Sequence, residues 1–286
     1  MFKNVDSVMK LLGSASYLTD SKTATCVYLA RKLNKPLLVE GPAGVGKTEL
    51  GKAIAQATES ELIRLQCYEG LDEAKALYEW NYQKQLLCIQ SFQDKSNLSW
   101  RDIKENIYTP EFILARPLLK AFTSEKSCTL LIDELDKSDD EFESFLLEAL
   151  SDYQVSIPEY GVIKATSYPF VILTSNNQRQ LSDAIKRRCI YLYIDYPDHN
   201  RELDILNMKI PDIDRDLAQG LVSFVQSVRK LDLRKAPSVA ETLDWAKALL
   251  ILGKKELDKD TIQETMSLLI KYQADVKKVE KKILGL

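Results

Sequence analysis

The feature that most constrains this chain is Gly41-Pro42-Ala43-Gly44-Val45-Gly46-Lys47-Thr48, because of what stands on either side of it. Before it runs an apolar stretch, Pro36 to Glu40 (PLLVE), with the character of a buried strand. After it, Leu50, Ala53, Ile54 and Ala57 recur at the spacing of one helix face. The eight residues match GxxxxGKT, a pattern that carries physical meaning only where a strand ends and a helix begins. Glycines there let the backbone turn where side chains would clash, so successive N–H groups converge on anionic oxygens. The N-terminus of the following helix adds its partial positive charge. In that setting Lys47 reaches the β- and γ-phosphates of a nucleotide, and the Thr48 hydroxyl holds Mg²⁺. Gly41, Pro42, Ala43, Gly44, Val45, Gly46, Lys47 and Thr48, with Glu49 behind them, are the expected ATP-binding set.

A loop of this kind requires alternating strands and helices around it, and the chain supplies them. Candidate strands are Pro36 to Glu40, Glu61 to Cys67, Thr129 to Asp133, Pro169 to Ser175 and Tyr191 to Asp195. Three of these are almost continuously apolar and end in polar residues. That pattern suits central strands of a parallel sheet covered on both faces, with ligands at the carboxyl ends. Phe142, Phe145, Leu146, Ala149 and Leu150 form a helical stripe, preceded by Ser138 and Glu141 at capping-box spacing. The segment from 69 to 110 breaks the alternation. It is polar, carries Trp80 and Trp100, and reads as helical over Ala74 to Leu87. Past Tyr196-Pro197-Asp198 only helical periodicity remains: the stripe Leu217, Leu221, Phe224, Val225 and Val228, a helix from Val239 to Leu252, and a helical tail from Thr261 through Val276, Val279 and Ile283. The expected fold is α/β: an αβα sandwich around a five-stranded, mainly parallel sheet over residues 1–196, then a small all-α lid over 197–286.

Composition narrows the functions open to such a fold. The chain is 45% hydrophobic and 28% charged, an ordinary globular balance. No apolar run approaches the ~18–20 residues that span a bilayer. Met1 to Leu12 lacks the long apolar core of a secretory leader. Cys26, Cys67, Cys88, Cys128 and Cys189 are odd in number and scattered, which suits free thiols in a reducing, cytoplasmic compartment better than disulfides or zinc. The single histidine, His199, excludes a histidine triad. A net charge of −3 argues against a broadly basic nucleic-acid surface. Lys277, Lys278, Lys281 and Lys282 read as the solvated face of the last helix.

Three further segments carry chemistry. Thr129-Leu130-Leu131-Ile132-Asp133-Glu134 places an acidic pair at a strand end, where Asp133 organises Mg²⁺ and Glu134 polarises the attacking water as general base. Taken alone, the same pair is a common solubilising strand end. Thr174-Ser175-Asn176 ends another strand; if that strand lies between those leading to Lys47 and Asp133, the Asn176 amide reaches the γ-phosphate. Asn177 is its competitor, since one residue of shift reverses the face. Lys186-Arg187-Arg188 closes a helix. Arg188, or alternatively Arg187, supplies a planar cation to a transferring phosphoryl group across a subunit boundary. Basic residues are also simply favoured at helix C-termini.

Taken together, these motifs resemble the AAA+ ATPases, a group of P-loop NTPases. Within them the chain looks like the MoxR family, through Pro117-Leu118-Leu119, the helix Asp140 to Leu150 followed by Tyr153-Gln154-Val155-Ser156-Ile157-Pro158, and a hairpin at about 153–170. The phrases TSNNQRQLSDAIKRRC and Ala240-Glu241-Thr242-Leu243-Asp244-Trp245-Ala246 look closest to its CoxD-like branch. The resemblance implies a ring, usually of six subunits, with ATP and Mg²⁺ at each interface. It implies an ATPase that remodels a client or inserts its cofactor, the client being a molybdenum hydroxylase of the carbon monoxide dehydrogenase type. A partner with a von Willebrand factor A domain often accompanies such proteins. Backbone near Tyr17 and Leu18 would recognise adenine, and the segments 69–110 and 153–170 would face the client. One departure stands out: the family's lid arginine is missing from Ala236-Pro237-Ser238-Val239-Ala240-Glu241, which leaves Arg234 or Lys235 as substitutes. The competing class is a DNA-acting motor or a restriction-type nucleotide-hydrolysing subunit.

Overall fold

The computed structural model describes residues 2–92, 107–158 and 160–285. Two helices open the chain, α1 (Val5–Ser14) and α2 (Ser21–Lys32). Val5, Val8, Met9 and Leu12 share one face of α1, which starts on a reciprocal Asn4/Ser7 capping box, and α2 starts on the Asp20 side chain. Then follow β1 (Leu37–Glu40), α3 (Lys47–Ala57) and β2 (Leu62–Gln66). The expected alternation continues with β5 (Thr129–Asp133), α7 (Asp140–Asp152), β8 (Phe170–Ser175), α8 (Asp183–Arg188) and β9 (Ile190–Tyr193).

The sheet runs in the order β2-β5-β8-β1-β9. Parallel pairing sets Gln66 opposite Asp133, Ile132 opposite Leu173, and Glu40 opposite Ser175. β8 therefore lies between β1 and β5, as the reading of Asn176 requires. β1, β5 and β8 are buried along their whole lengths, which is why their sequences run apolar without alternation.

Three local expectations are corrected. The helix read over 74–87 is split into α4 (Glu73–Ala76) and α5 (Tyr82–Phe92) by a strand, β3 (Tyr78–Trp80). β3 pairs antiparallel with β4 (Ile113–Ala115). Aromatic side chains favour a strand there, and Trp80 stacks edge-on against both Tyr78 and Tyr108. Trp100, with the rest of 93–106, lies outside the described residues.

The capping box at Ser138 and Glu141 does not form. A 3₁₀ turn at Leu135–Lys137 delays the helix by one residue, so Asp139 caps α7 by accepting from Phe142 N at 2.8 Å. Ser138 Oγ instead donates to Leu135 O at 2.8 Å. Asp139→Ala should accordingly cost about 1 kcal/mol in urea unfolding, the usual loss for a cap, while Glu141→Ala costs only a few tenths; the reverse ranking would restore the original frame. Last, the tail expected as one helix is two, α12 (Lys259–Leu269) and α13 (Gln273–Val279), because Ile270 adopts extended backbone.

Contacts divide the chain into two units: Met1–Ala15, Thr19–Glu40 and Leu50–Leu192 form the first, and Ser16–Leu18, Gly41–Glu49 and Tyr193–Leu286 the second. In the first, Leu130, Ile132, Val171 and Leu173 of the sheet pack with Leu118 and Phe122 of α6 (Pro117–Thr123) and with Phe142 and Leu146 of α7. The hairpin appears as β6 (Gln154–Ile157) and β7 (Gly161–Lys164), paired antiparallel.

The second unit packs α9 (His199–Lys209), α10 (Arg215–Arg229), α11 (Val239–Ile251), α12 and α13 around fully buried Trp245, whose Nε1 donates to Thr265 Oγ1 at 2.8 Å. Arg229 holds Glu202 through both guanidinium Nη atoms at 2.5 and 2.7 Å, with both side chains buried. Breaking such a pair from one side typically costs several kcal/mol. All five cysteines are free. Burial pushes the Cys67 and Cys189 thiols up to about 12, so neither is a thiolate at neutral pH. No helix among the described residues is long and apolar enough to cross a membrane.

Candidate functional site

The sequence-derived residues fall into three groups, each with its own local geometry. The first is the glycine loop. Gly41 has φ +151° and Gly44 φ +73°, conformations that side chains resist. A Cβ on Gly41 would stand 1.9 Å from the carbonyl oxygen of Ile194. A Cβ on Gly44 would stand 2.4 Å from Cβ and Oγ of Ser238, and Ala240 N donates to Gly44 O at 3.3 Å. Lys47, at the first position of α3, is 5% exposed and donates to Gly41 O at 2.7 Å and to Pro42 O at 2.6 Å. Its ammonium thus lies against the loop it is expected to complete. The Tyr17 ring passes 3.7 Å from where a Gly46 Cβ would be, and Leu18 O accepts from Arg201 Nη2 at 2.9 Å. Tyr17 therefore borders the loop, whereas the Leu18 carbonyl is already engaged.

The turn that leads into α11 packs on this loop. Ser238 and Glu241 form the reciprocal capping box expected of them. Of the two proposed substitutes for a lid arginine, Arg234 stacks on Tyr272 at 4.3 Å. Lys235 pairs with Glu241 at 2.8 Å, next to the turn that touches Gly44.

The second group gathers at the carboxyl ends of β2, β5 and β8. Asp133 ends β5 with its side chain 2% exposed. Its Oδ1 accepts from Thr174 Oγ1 at 2.6 Å, and its Oδ2 from Arg64 Nη2 at 2.5 Å and Nε at 3.1 Å. Glu134 follows in the left-handed region, φ +58°. A non-glycine residue there carries strain of order 1 kcal/mol, a cost that recurs at functional positions. The strained turn holds Glu134 clear of the strand, where three groups meet its carboxylate. Asn176 Nδ2 donates to Oε1 at 3.3 Å, Gln66 Nε2 to Oε2 at 2.8 Å, and Lys137 Nζ pairs with Oε2 at 2.6 Å. Hydrogen bonding to this carboxylate holds Lys137 above the usual lysine range. Asn177, the competitor, is exposed, also at φ +58°, and its N–H turns back to Ser175 Oγ. Asn176 is the asparagine that meets Glu134. A Mg²⁺ ion fits this donor chemistry, since a hard cation takes carboxylate oxygen and is commonly held by one or two protein ligands plus phosphates. Among the described residues no cluster of three or more His, Cys, Asp or Glu is placed to hold a metal.

Motif reading does not find Arg64, Gln66 or Lys137, and it names Thr174 without assigning its hydroxyl to Asp133. β2 does carry a signal for two of them. In LIRLQ the polar residues 64 and 66 alternate with buried Ile63 and Leu65, so both project from the same face of the strand.

The third group is the last turn of α8. Arg188 Nη1 donates to Leu147 O at 2.8 Å, and Arg187 is exposed. Both line a cleft of about 290 Å³ floored by Leu146, Leu150, Tyr153 and Ile185.

Comparison with known proteins gives the family and the fold. The AAA domain of the dynein-related subfamily matches residues 36–189, more than half of the chain and spanning the loop, Asp133, Glu134, Asn176 and both arginines. An uncharacterized protein of Staphylococcus haemolyticus is 22% identical over 244 residues, covering 80% of this chain and 84% of its own. One from Staphylococcus aureus is 25% identical over 250 residues at the same coverage. Among solved structures, the Thermotoga maritima RuvB Holliday junction branch migration motor superposes with a TM-score of 0.53 at 14% identity, covering 92% of this chain and 75% of its own. A point mutant of the same motor gives 0.53 at 16% identity, covering 99% and 79%. That likeness concerns the fold. The chain belongs to the AAA domain family, in its dynein-related subfamily.

Proposed function

We propose that this chain is an ATPase of the MoxR type, in its CoxD-like branch, that spends ATP on remodelling a client protein. In this reading Gly41 to Thr48 and Glu49 bind the nucleotide, with Lys47 on its phosphates and Tyr17 and Leu18 toward adenine. Thr48 and Asp133 hold Mg²⁺, which supplies charge neutralisation on the phosphates. Glu134 accepts a proton from the attacking water, and Asn176 orients that water. Arg188 of a neighbouring subunit, with Arg187 as alternate, approaches the transferring group, so the working form is a ring, most simply a hexamer. The lid begins near residue 197, and Lys235 is better placed than Arg234 to stand for its missing arginine.

What supports the hydrolytic part is the Glu134 carboxylate, set on a strained turn and held by Asn176 at 3.3 Å. A base fixed in this way needs little reorganisation when water is activated. The client role rests on the hairpin. Tyr160, Val162 and Tyr168 are 40%, 59% and 56% exposed, and an apolar exposed surface suits a protein partner better than a polyanion. By resemblance the client is a molybdenum hydroxylase of the carbon monoxide dehydrogenase type, and a protein carrying a von Willebrand factor A domain would work beside it in the cytoplasm.

Glu134→Gln immobilised with ATP should retain client and partner and release them when ATP is removed. Adding Val162→Asp to that variant should abolish the capture. ATP turnover stimulated by DNA and lost steeply with salt would favour the competing DNA motor, toward which the RuvB fold points, and would overturn this reading. The shared interface predicts complementation: Arg188→Ala and Glu134→Gln subunits, each slow alone, should recover activity when mixed. No recovery in the mixture would remove Arg188 from the neighbour's site.

A further inference from the structure

The Asp133 side chain is 2% exposed, so its charge needs a partner within the protein. Arg64 provides one. Its Nη2 and Nε lie 2.5 and 3.1 Å from the same oxygen, Oδ2, while the Thr174 hydroxyl takes Oδ1 at 2.6 Å. A carboxylate oxygen offers about two lone-pair directions, and two guanidinium donors fill them on Oδ2. An arginine in a protein does not discharge by losing a proton. Yet the Arg64 side chain is 47% exposed and stands on β2, the edge strand of the sheet, so its head can pass into water at small cost. A divalent cation meeting the same oxygen would face a positive charge at hydrogen-bonding distance.

We infer that Arg64 is a resident counter-ion for Asp133 that competes with magnesium, so that this residue sets how much Mg²⁺ the chain requires to hold a nucleotide tightly. The inference rests on the nucleotide site proposed above. Arg64 is a positioning residue that acts through Asp133. Without magnesium it keeps the buried Asp133 side chain paired and ordered. With magnesium present, Asp133 would help to hold the ion and Arg64 would turn outward to solvent and to Gln66 Oε1, which already accepts from Nη2 at 2.5 Å.

The test titrates Mg²⁺ at a fixed, subsaturating concentration of fluorescent ADP, which reports binding without turnover. Arg64→Gln should reach half-maximal binding at roughly three- to five-fold lower Mg²⁺ than the unaltered chain, the effect expected from removing one half-exposed cation. In EDTA without nucleotide, the same variant should unfold at a lower temperature. Arg64→Lys keeps the charge but loses the two-donor fork; it should shift the midpoint downward by about two-fold, and it serves if Arg64→Gln does not fold. An unchanged or raised Mg²⁺ midpoint in the folded variants, with binding by the unaltered chain intact, overturns the inference alone. Failure of the unaltered chain to bind ADP at any Mg²⁺ concentration overturns the nucleotide site as well.

Discussion

Glu134→Gln is expected to bind ATP as tightly as the unaltered chain and to release phosphate roughly a hundredfold more slowly or worse, the range for losing a positioned general base. The substitution keeps the size of the side chain and both of its hydrogen-bonding positions. Asn176 can still donate to the amide oxygen, while Gln66, whose Oε1 already accepts from Arg64, loses its bond to this side chain. What disappears is the ability to take a proton, together with the charge that pairs with Lys137 at 2.6 Å. That pair is partly exposed on both sides, so its loss should move stability by less than about 1 kcal/mol. Binding and turnover should therefore separate cleanly. Loss of both together would mean that Glu134 shapes the fold of the turn and does no proton transfer.

The second large effect is Gly41→Ala. The new Cβ would fall 1.9 Å from the Ile194 carbonyl oxygen, on a backbone at φ +151°. The obstructing atom is main chain and cannot rotate away. Both the conformation and the clash oppose the methyl group, and together they should cost on the order of 3 kcal/mol or more. Against a typical stability of about 5–15 kcal/mol this is severe. The urea midpoint should fall markedly and ATP affinity should fall with it. Gly13→Ala is the control, because no atom lies within 4 Å of its added Cβ. Equal effects of the two substitutions would show that the loop tolerates side chains at Gly41.

Much of the fold is legible in the sequence because its signals are local. The loop, the apolar runs of β1, β5 and β8, and the stripe of α10 each follow from a few neighbouring residues. Even the placement of β8 between β1 and β5 is implied by the role read into Asn176. The frame of α7 is harder to read, because a 3₁₀ turn at Leu135–Lys137 moves the cap from Ser138 to Asp139. β3 is hidden inside a helical pattern because its partner, Ile113–Ala115, lies more than thirty residues away, and periodicity does not report pairing at that range.

The site shows the same division. Lys47, Asp133 and Glu134 belong to contiguous motifs and can be named from them. Arg64 and Gln66 cannot, because their contacts with Asp133 and Glu134 come from register, which sets Gln66 opposite Asp133 across two strands. The contact of Ser238 with Gly44 likewise joins residues almost two hundred positions apart.

The most direct test of the account is to measure ATP binding and phosphate release on parallel preparations of the unaltered chain, Lys47→Ala and Glu134→Gln. The account predicts magnesium-dependent phosphate release from the unaltered chain alone, with ATP retained by Glu134→Gln and lost by Lys47→Ala. Undiminished phosphate release from Glu134→Gln, or undiminished ATP binding by Lys47→Ala, would contradict it.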